Sequence, residues 1–341
     1  MGVIKVIKTN QTKQHKQRDE QTLFYLKNID ELFKHEIQIH PHILTIPHWY
    51  NFIYTFVNVN DMQITNTNNP LDIDIDIDID NSSRESNFKV VKYNKSNMTP
   101  LIKKINSYYD KKKIVVMIQS FENCLYYLHI LHNNGLIHNN LNLKTILLDE
   151  YDFIFFSDFS FAFKSTKLAT HDMNHLTKGA MPVYFQELWN LSGVLDKQTI
   201  QDILVKIESY FQETNILYKE ECDLCVQKYH DFLLTFTNFN NNNIYNNIND
   251  NNIYKSQKDK IINELSNLLF SWDVISLAIS YLYLYRTYFS SFCKKCEIET
   301  FLVNLLCPPW NYNLLETMES FRKIYFSIDT SVWKVILKQS S

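Results

Sequence analysis

From Ile114 to Asn134, apolar residues recur at three- and four-residue steps. Val115, Ile118, Phe121, Leu125, Leu128 and Leu131 predict a long helix with one face in a core. Asn133, Asn134 and Gly135 tolerate the left-handed backbone that closes a helix, so the chain turns there. Two short apolar runs follow, Ile146 to Leu148 and Phe153 to Phe156, on either side of the polar turn Asp149 to Asp152; they predict a buried hairpin. Helical spacing returns between Leu191 and Phe236, where Ile200, Ile203, Leu204, Ile207, Tyr210 and Phe211 form a stripe. Leu268 to Tyr285 is mostly apolar and long enough for a membrane span. Asp273 inside it argues for a buried core helix instead, because a charge in hydrocarbon is costly.

Two stretches break these patterns. Asp72 to Asp80 alternates Ile and Asp, a strand period, yet its carboxylates fall on one face and repel, so residues 65–87 read as a low-complexity loop. Calcium binding there is the lesser alternative. Asn238 to Asn252 is an asparagine-rich tract without the apolar surface to fold.

Composition narrows the function classes. With 341 residues, 45% of them hydrophobic, the chain can bury a large core, and a net charge of -3 offers no general attraction to nucleic acid or to a membrane. The start lacks a basic segment followed by an apolar run, so a cytoplasmic address is expected and the sequons at Asn97 and Asn190 are read as chance. Six cysteines include the pairs Cys222/Cys225 and Cys293/Cys296. A four-thiolate zinc site is the minor reading; helical surroundings favour ordinary half-buried thiols, and a reducing compartment disfavours a disulfide.

The chemistry-bearing residues follow the long helix: His138, Asn139, Asn140, Asn142 and Thr145, then Asp158-Phe159-Ser160. Their spacing, five residues from Asn140 to Thr145 and thirteen from there to Asp158, resembles the catalytic core of the protein-kinase-like superfamily, as a degenerate serine/threonine-type domain. The resemblance implies an Asp at 140 as base, a Lys at 142, an Asn at 145 for metal and Asp158 for magnesium. Asn140 carries no carboxylate and cannot take a proton, Asn142 removes a positive charge, and Thr145 offers a poorer metal ligand. Asn139 replaces the arginine that reads activation-loop phosphate, and Ser160 in place of Gly restricts the turn after Phe159.

Weaker similarities extend the likeness. Ser271 to Tyr281 is similar to the family's central helix, which makes Asp273 the carboxylate that anchors the loop backbone. Phe88 to Tyr93 followed by Thr99-Pro100-Leu101 resembles the fifth strand and hinge, and His40-Pro41-His42-Ile43 the turn after the regulatory helix. Counting back from His40 places Glu31 at that helix's carboxylate, with Glu36 as competitor. Val3 to Lys8 is similar to the third strand, with Lys5 as the phosphate-pairing lysine, so the first two strands and glycine-rich loop are expected to be absent. Four glycines, none spaced G-x-G-x-x-G, agree. Pro182 to Glu187 makes Glu187 the candidate acid of the substrate-side segment, whose arginine partner would fall near Tyr312.

The resemblance therefore implies an α+β, two-lobed kinase-like fold with a truncated N-lobe over 1–95 and a mainly helical C-lobe over 96–341, interrupted by an insertion at about 191–262. The expected protein is a catalytically inactive kinase-like scaffold. Residual phosphotransfer is one alternative; an interaction module built on helices at 191–236 is another. No functional cofactor is expected, with Lys5 and Asp158 as vestigial ATP and magnesium positions. Phe159, Asp273 and Glu187 are structural, and the partner is an unidentified protein.

Overall fold

The computed structural model describes residues 4–6, 24–28, 31–62, 88–93, 97–165, 182–191, 195–237, 250–288, 297–308, 310 and 312–327. The low-complexity loop at 65–87, Cys293 and Cys296 lie outside them. This part of the chain is α+β and mostly helical, with small sheets. It forms two compact units: Met1–Leu101 with Lys144–Phe161, and Ile102–Leu143 with Ala162–Ser341. A division expected near residue 95 thus falls at Leu101, and the later hairpin joins the first unit because its strands pair there.

In the first unit, β1 (Ile4–Val6), β2 (Phe24–Asn28), β3 (Phe56–Met62) and β4 (Phe88–Tyr93) form an antiparallel sheet in the order β1-β2-β4-β3. Helix α1 (Glu31–Ile43) follows β2. This corrects the placing of Lys5. It lies on β1, paired with Tyr25, while the strand directly before the helix is β2, which carries Lys27 opposite Lys89. Phe24-Tyr25-Leu26 is the aromatic and aliphatic run with strand propensity next to the helix.

A second correction concerns α1. His40-Pro41-His42-Ile43 does not follow the helix but ends it: Pro41 sits in the last turn and Leu44 N still donates to His40 O at 3.1 Å. A proline there removes one bond and leaves the rest of the helix intact. Phe33, Glu36, Ile39 and Ile43 form the buried stripe, so Glu36, 2% exposed, is a buried carboxylate on this helix, whose first residue is Glu31. Helix α1 packs on the short 3-10 turn Phe159–Phe161.

The remaining sheet of this unit joins β5 (Thr99–Pro100), β7 (Ile146–Leu148) and β8 (Ile154–Phe156), the last two forming the expected hairpin. Its turn is held by Asp149, whose Oδ1 accepts the N–H groups of Tyr151 and Phe153 at 2.9 Å each. Phe156 N donates to Phe52 O and Tyr54 N to Phe156 O, both at 2.8 Å.

The second unit is helical. After α2 (Leu101–Asn106) comes α3 (Asp110–Asn133), which buries Ile118, Phe121, Leu125, Leu128 and Leu131 as its periodicity predicts. Val115 is exposed, and Ile114 takes its place in the stripe. Strands β6 (Leu136–Ile137) and β9 (Phe163–Lys164) pair beyond it. Then come α4 (Val183–Trp189), α5 (Lys197–Thr214), α6 (Lys219–Thr235), α7 (Asp250–Asn267), α8 (Ser271–Tyr288), α9 (Glu297–Asn304) and α10 (Leu314–Ser327).

Helix α5 is capped by Asp196, whose Oδ1 accepts Thr199 N at 2.8 Å, and it buries Ile200, Ile203, Leu204, Ile207 and Phe211 against α4 and α6. Helix α7 takes in residues 250–252, so the asparagine-rich tract ends inside a helix; residues 238–249 lie outside the described part. Most of α8 is buried on every side, the mark of a core helix. By length and composition, Lys112–Asn133 could cross a membrane, and Lys258–Asn267 with Ser271–Tyr288 would count as another if that bent pair were one span. In this structure 56% of the Lys112–Asn133 window is buried inside the protein.

Candidate functional site

The loop after α3 is built on one glycine and one carboxylate. Gly135 has φ +67°, a left-handed backbone that Asn134, at φ -94°, leaves to it, and Ser165 N donates to Gly135 O at 2.9 Å. Strands β6 and β9 then carry the chain into His138 and Asn139. Here Asp273 of α8 meets the backbone: its Oδ2 accepts His138 N at 2.9 Å and its Oδ1 accepts Asn139 N at 2.8 Å. His132, in the last turn of α3, stands 3.1 Å from Oδ2.

Asp273 is fully buried, and burial by itself pushes a carboxyl's pKa up. The His132 hydrogen bond, the nearby imidazoles of His132 and His138 and the His138 N–H outweigh that burial and hold the carboxyl below its ordinary range. The expected anchoring role of Asp273 is therefore met atom by atom. His132 was not singled out by sequence; a histidine in the last turn of an apolar helix, beside a loop that needs a buried carboxylate, was the available signal.

Further along, the Asn142 Nδ2 donates to Asn140 O at 3.0 Å and to Asn140 Oδ1 at 3.3 Å. Two neutral amides thus stand where the resemblance implies a base and a lysine, and one satisfies the other. An aspartate at 140 could take a proton; an amide oxygen cannot.

In the first unit, Thr145 is buried and its carbonyl accepts both Ser157 N at 2.9 Å and Ser157 Oγ at 2.8 Å. Asp158 is exposed and has φ +62°, and its Oδ1 accepts the Ser160 hydroxyl at 2.5 Å. The left-handed residue is Asp158 and not Ser160, so the serine in place of glycine does not strain the turn. Phe159 is fully buried in this unit.

Glu187 on α4 has no arginine near Tyr312, whose hydroxyl instead donates to Leu305 O. Glu187 is paired all the same, with Lys206 of α5. Spacing along the family's pattern could not find a cation supplied by an insertion. Arg286 shows the same logic: it joins Glu221 of α6 at 2.5 Å and Glu299 of α9 at 2.8 Å and lies 4.0 Å from the Tyr218 ring.

Among the cysteines, Cys225 is bonded to Cys307, with Cα atoms 5.5 Å apart. That removes Cys225 from the four-thiolate zinc set and corrects the expectation of thiols there; Cys222 is a free, buried thiol whose pKa is raised by burial and by Glu208 and Asp223. Cys293 and Cys296 lie outside the described residues, among which no three or more His, Cys, Asp or Glu side chains gather as a metal site. No family model matches the chain, and no curated protein matches it either.

Proposed function

We propose that this chain is a protein-kinase-like protein that does not transfer phosphate and acts by binding other proteins. One observation carries the reading: Asp273 accepts two loop N–H groups beside a loop whose working positions are the paired amides Asn140 and Asn142. The bonds that shape such a loop are kept while the groups that would do chemistry are not. Element order supports it too, since β2, α1, β3, β4, α2, the long α3, the loop, the β7-β8 hairpin, the Asp158 turn and α8 succeed one another as in a kinase. A small strand-bearing first unit and a helical second unit fit the same fold. The apolar stripe of α5 is buried on α4 and α6, which favours a supporting role for the 191–236 helices over a separate interaction module.

Residual phosphotransfer has one observation on its side. Asp158 keeps its carboxylate, and the strand before α1 offers Lys27 with Glu36 on the helix. Thermal unfolding of the full chain with and without millimolar ATP and magnesium separates the two, because a ligand that binds only the folded state raises Tm by mass action. The binding-protein reading expects no saturable shift and no labelled phosphate on protein substrates. A metal-dependent shift of several degrees that disappears in Asp158→Ala, together with transfer, would overturn it. A cytoplasmic location belongs to this proposal and is checked by imaging the tagged chain.

A further inference from the structure

A cavity of about 280 Å³ lies within the second unit, where the loop residues Leu141 and Asn142, the start of α4, and helices α5, α6 and α8 converge. Aromatic rings make much of its wall: Tyr184, Tyr210, Phe211 and Tyr229. Isoleucines Ile275 and Ile279 of α8 line it alongside them. None of the described residues lining it carries a charge, so an ionic ligand would lose its hydration there without gaining a partner.

Polar groups are few and placed. Ser276 and Ser280 are one helical turn apart on α8, each 7% exposed, and both line the cavity with Asn142. No hydrogen bond joins the Ser280 hydroxyl to another described residue, so as a wall group it is open to a ligand's donor or acceptor. Tyr184, another wall residue, has a buried hydroxyl that makes no hydrogen bond either; Ser271 stands near enough to influence it, but the Ser271 hydroxyl donates to Leu268 O.

Volume sets the ligand's size. An apolar cavity of ~150 Å³ takes up benzene, and drug-sized ligands fill roughly 300 Å³ or more. We infer that this cavity binds a neutral aromatic molecule of one or two rings that carries a single hydrogen-bonding group, the rings between Phe211, Tyr229 and the α8 isoleucines and the polar group at Ser280. Aromatic walls favour edge-to-face and offset contacts with such a ring, and a lone N–H or O–H matches the unpartnered serine. Its lining includes none of Lys5, Lys27, Glu36 or Asp158, so the inference stands or falls independently of the phosphotransfer question.

Indole and phenol are the probes, with cyclohexanol as a non-aromatic control of similar polarity. The full-length chain, labelled at isoleucine methyls, is titrated and followed by NMR. Saturable shifts of the Ile275 and Ile279 methyls at sub-millimolar indole are expected, with cyclohexanol at least tenfold weaker. Ser280→Ala should weaken indole and phenol about fivefold or more while leaving toluene unchanged or tighter. Ser280→Leu, which fills part of the space, should abolish binding without lowering Tm. If Ser280→Leu does not fold, the methyl shifts in the unsubstituted protein decide. No saturable shift up to several millimolar indole, shifts confined to other isoleucines, equal binding of cyclohexanol, or a cavity that holds water only would each overturn the inference.

Discussion

Asp273 is a buried carboxylate at the centre of the second unit, and such a group is tolerated only where donors surround it. Here two backbone N–H groups and the His132 ring do so. Removing one partner of a buried charged cluster costs far more than the cluster gains over an apolar core, on the order of 3–5 kcal/mol. Asp273→Ala is therefore expected to lower stability by about that amount, and chemical unfolding monitored by tryptophan fluorescence measures it. Asp273→Asn keeps the shape but loses the charge facing His132, and is expected to fall between. Acid adds a signature. Because the folded pKa lies below the ordinary 3.8, the carboxylate stabilises the fold above that value, and its contribution fades as pH falls through the lower folded value. The unsubstituted protein should lose stability more steeply below about pH 4 than Asp273→Asn does; equal acid slopes would mean that the carboxylate is not held as described.

Helix α5 separates what packing contributes from what charge contributes. Ile203 is 3% exposed in its stripe, whereas the Lys206 side chain that pairs with Glu187 is 55% exposed. Ile203→Ala should cost roughly 2–5 kcal/mol, and Lys206→Met less than about 1 kcal/mol, since solvent screens an exposed pair. Thermal melts of the two variants test the order; a larger loss in Lys206→Met would make that pair the anchor of the insertion. The same contrast explains what sequence could reveal. The long helix α3, the β7-β8 hairpin and the α5 stripe were legible because each repeats apolar residues at its own period. The loop at His138 and the anchor at Asp273 were legible because their spacing is local. Glu36 was ranked behind Glu31 because counting from His40 assumed that a turn starts there, although Phe33, Glu36, Ile39 and Ile43 already stood on one helical face. Lys27, Lys206 and Cys307 depend on which elements pair across the chain, and no local period carries that information.

Across the whole molecule, Cys225 on α6 and Cys307 just beyond α9 are bonded although 82 residues apart in sequence. Tyr229, one turn after Cys225, donates its hydroxyl to Leu306 O at 3.0 Å, so the same two segments are joined by a hydrogen bond beside the sulfurs. A cross-link that closes a loop of this length restricts the unfolded chain, for about 4 kcal/mol on a chain-entropy basis. Reductant, or Cys307→Ser, is therefore expected to lower Tm by roughly 10 °C in a unit of this size. Mass spectrometry of the unreduced and reduced protein supplies the control, with a gain of two thiols and a Cys225–Cys307 peptide before reduction. The bond also bears on where the chain works. In a reducing compartment the two sulfurs would be held as thiols, leaving packing and the Tyr229 hydrogen bond to keep α6 in place. Equal Tm with and without reductant would show that those contacts suffice and that the fold does not depend on the cross-link; a large drop would set an oxidising compartment against the cytoplasmic address proposed above.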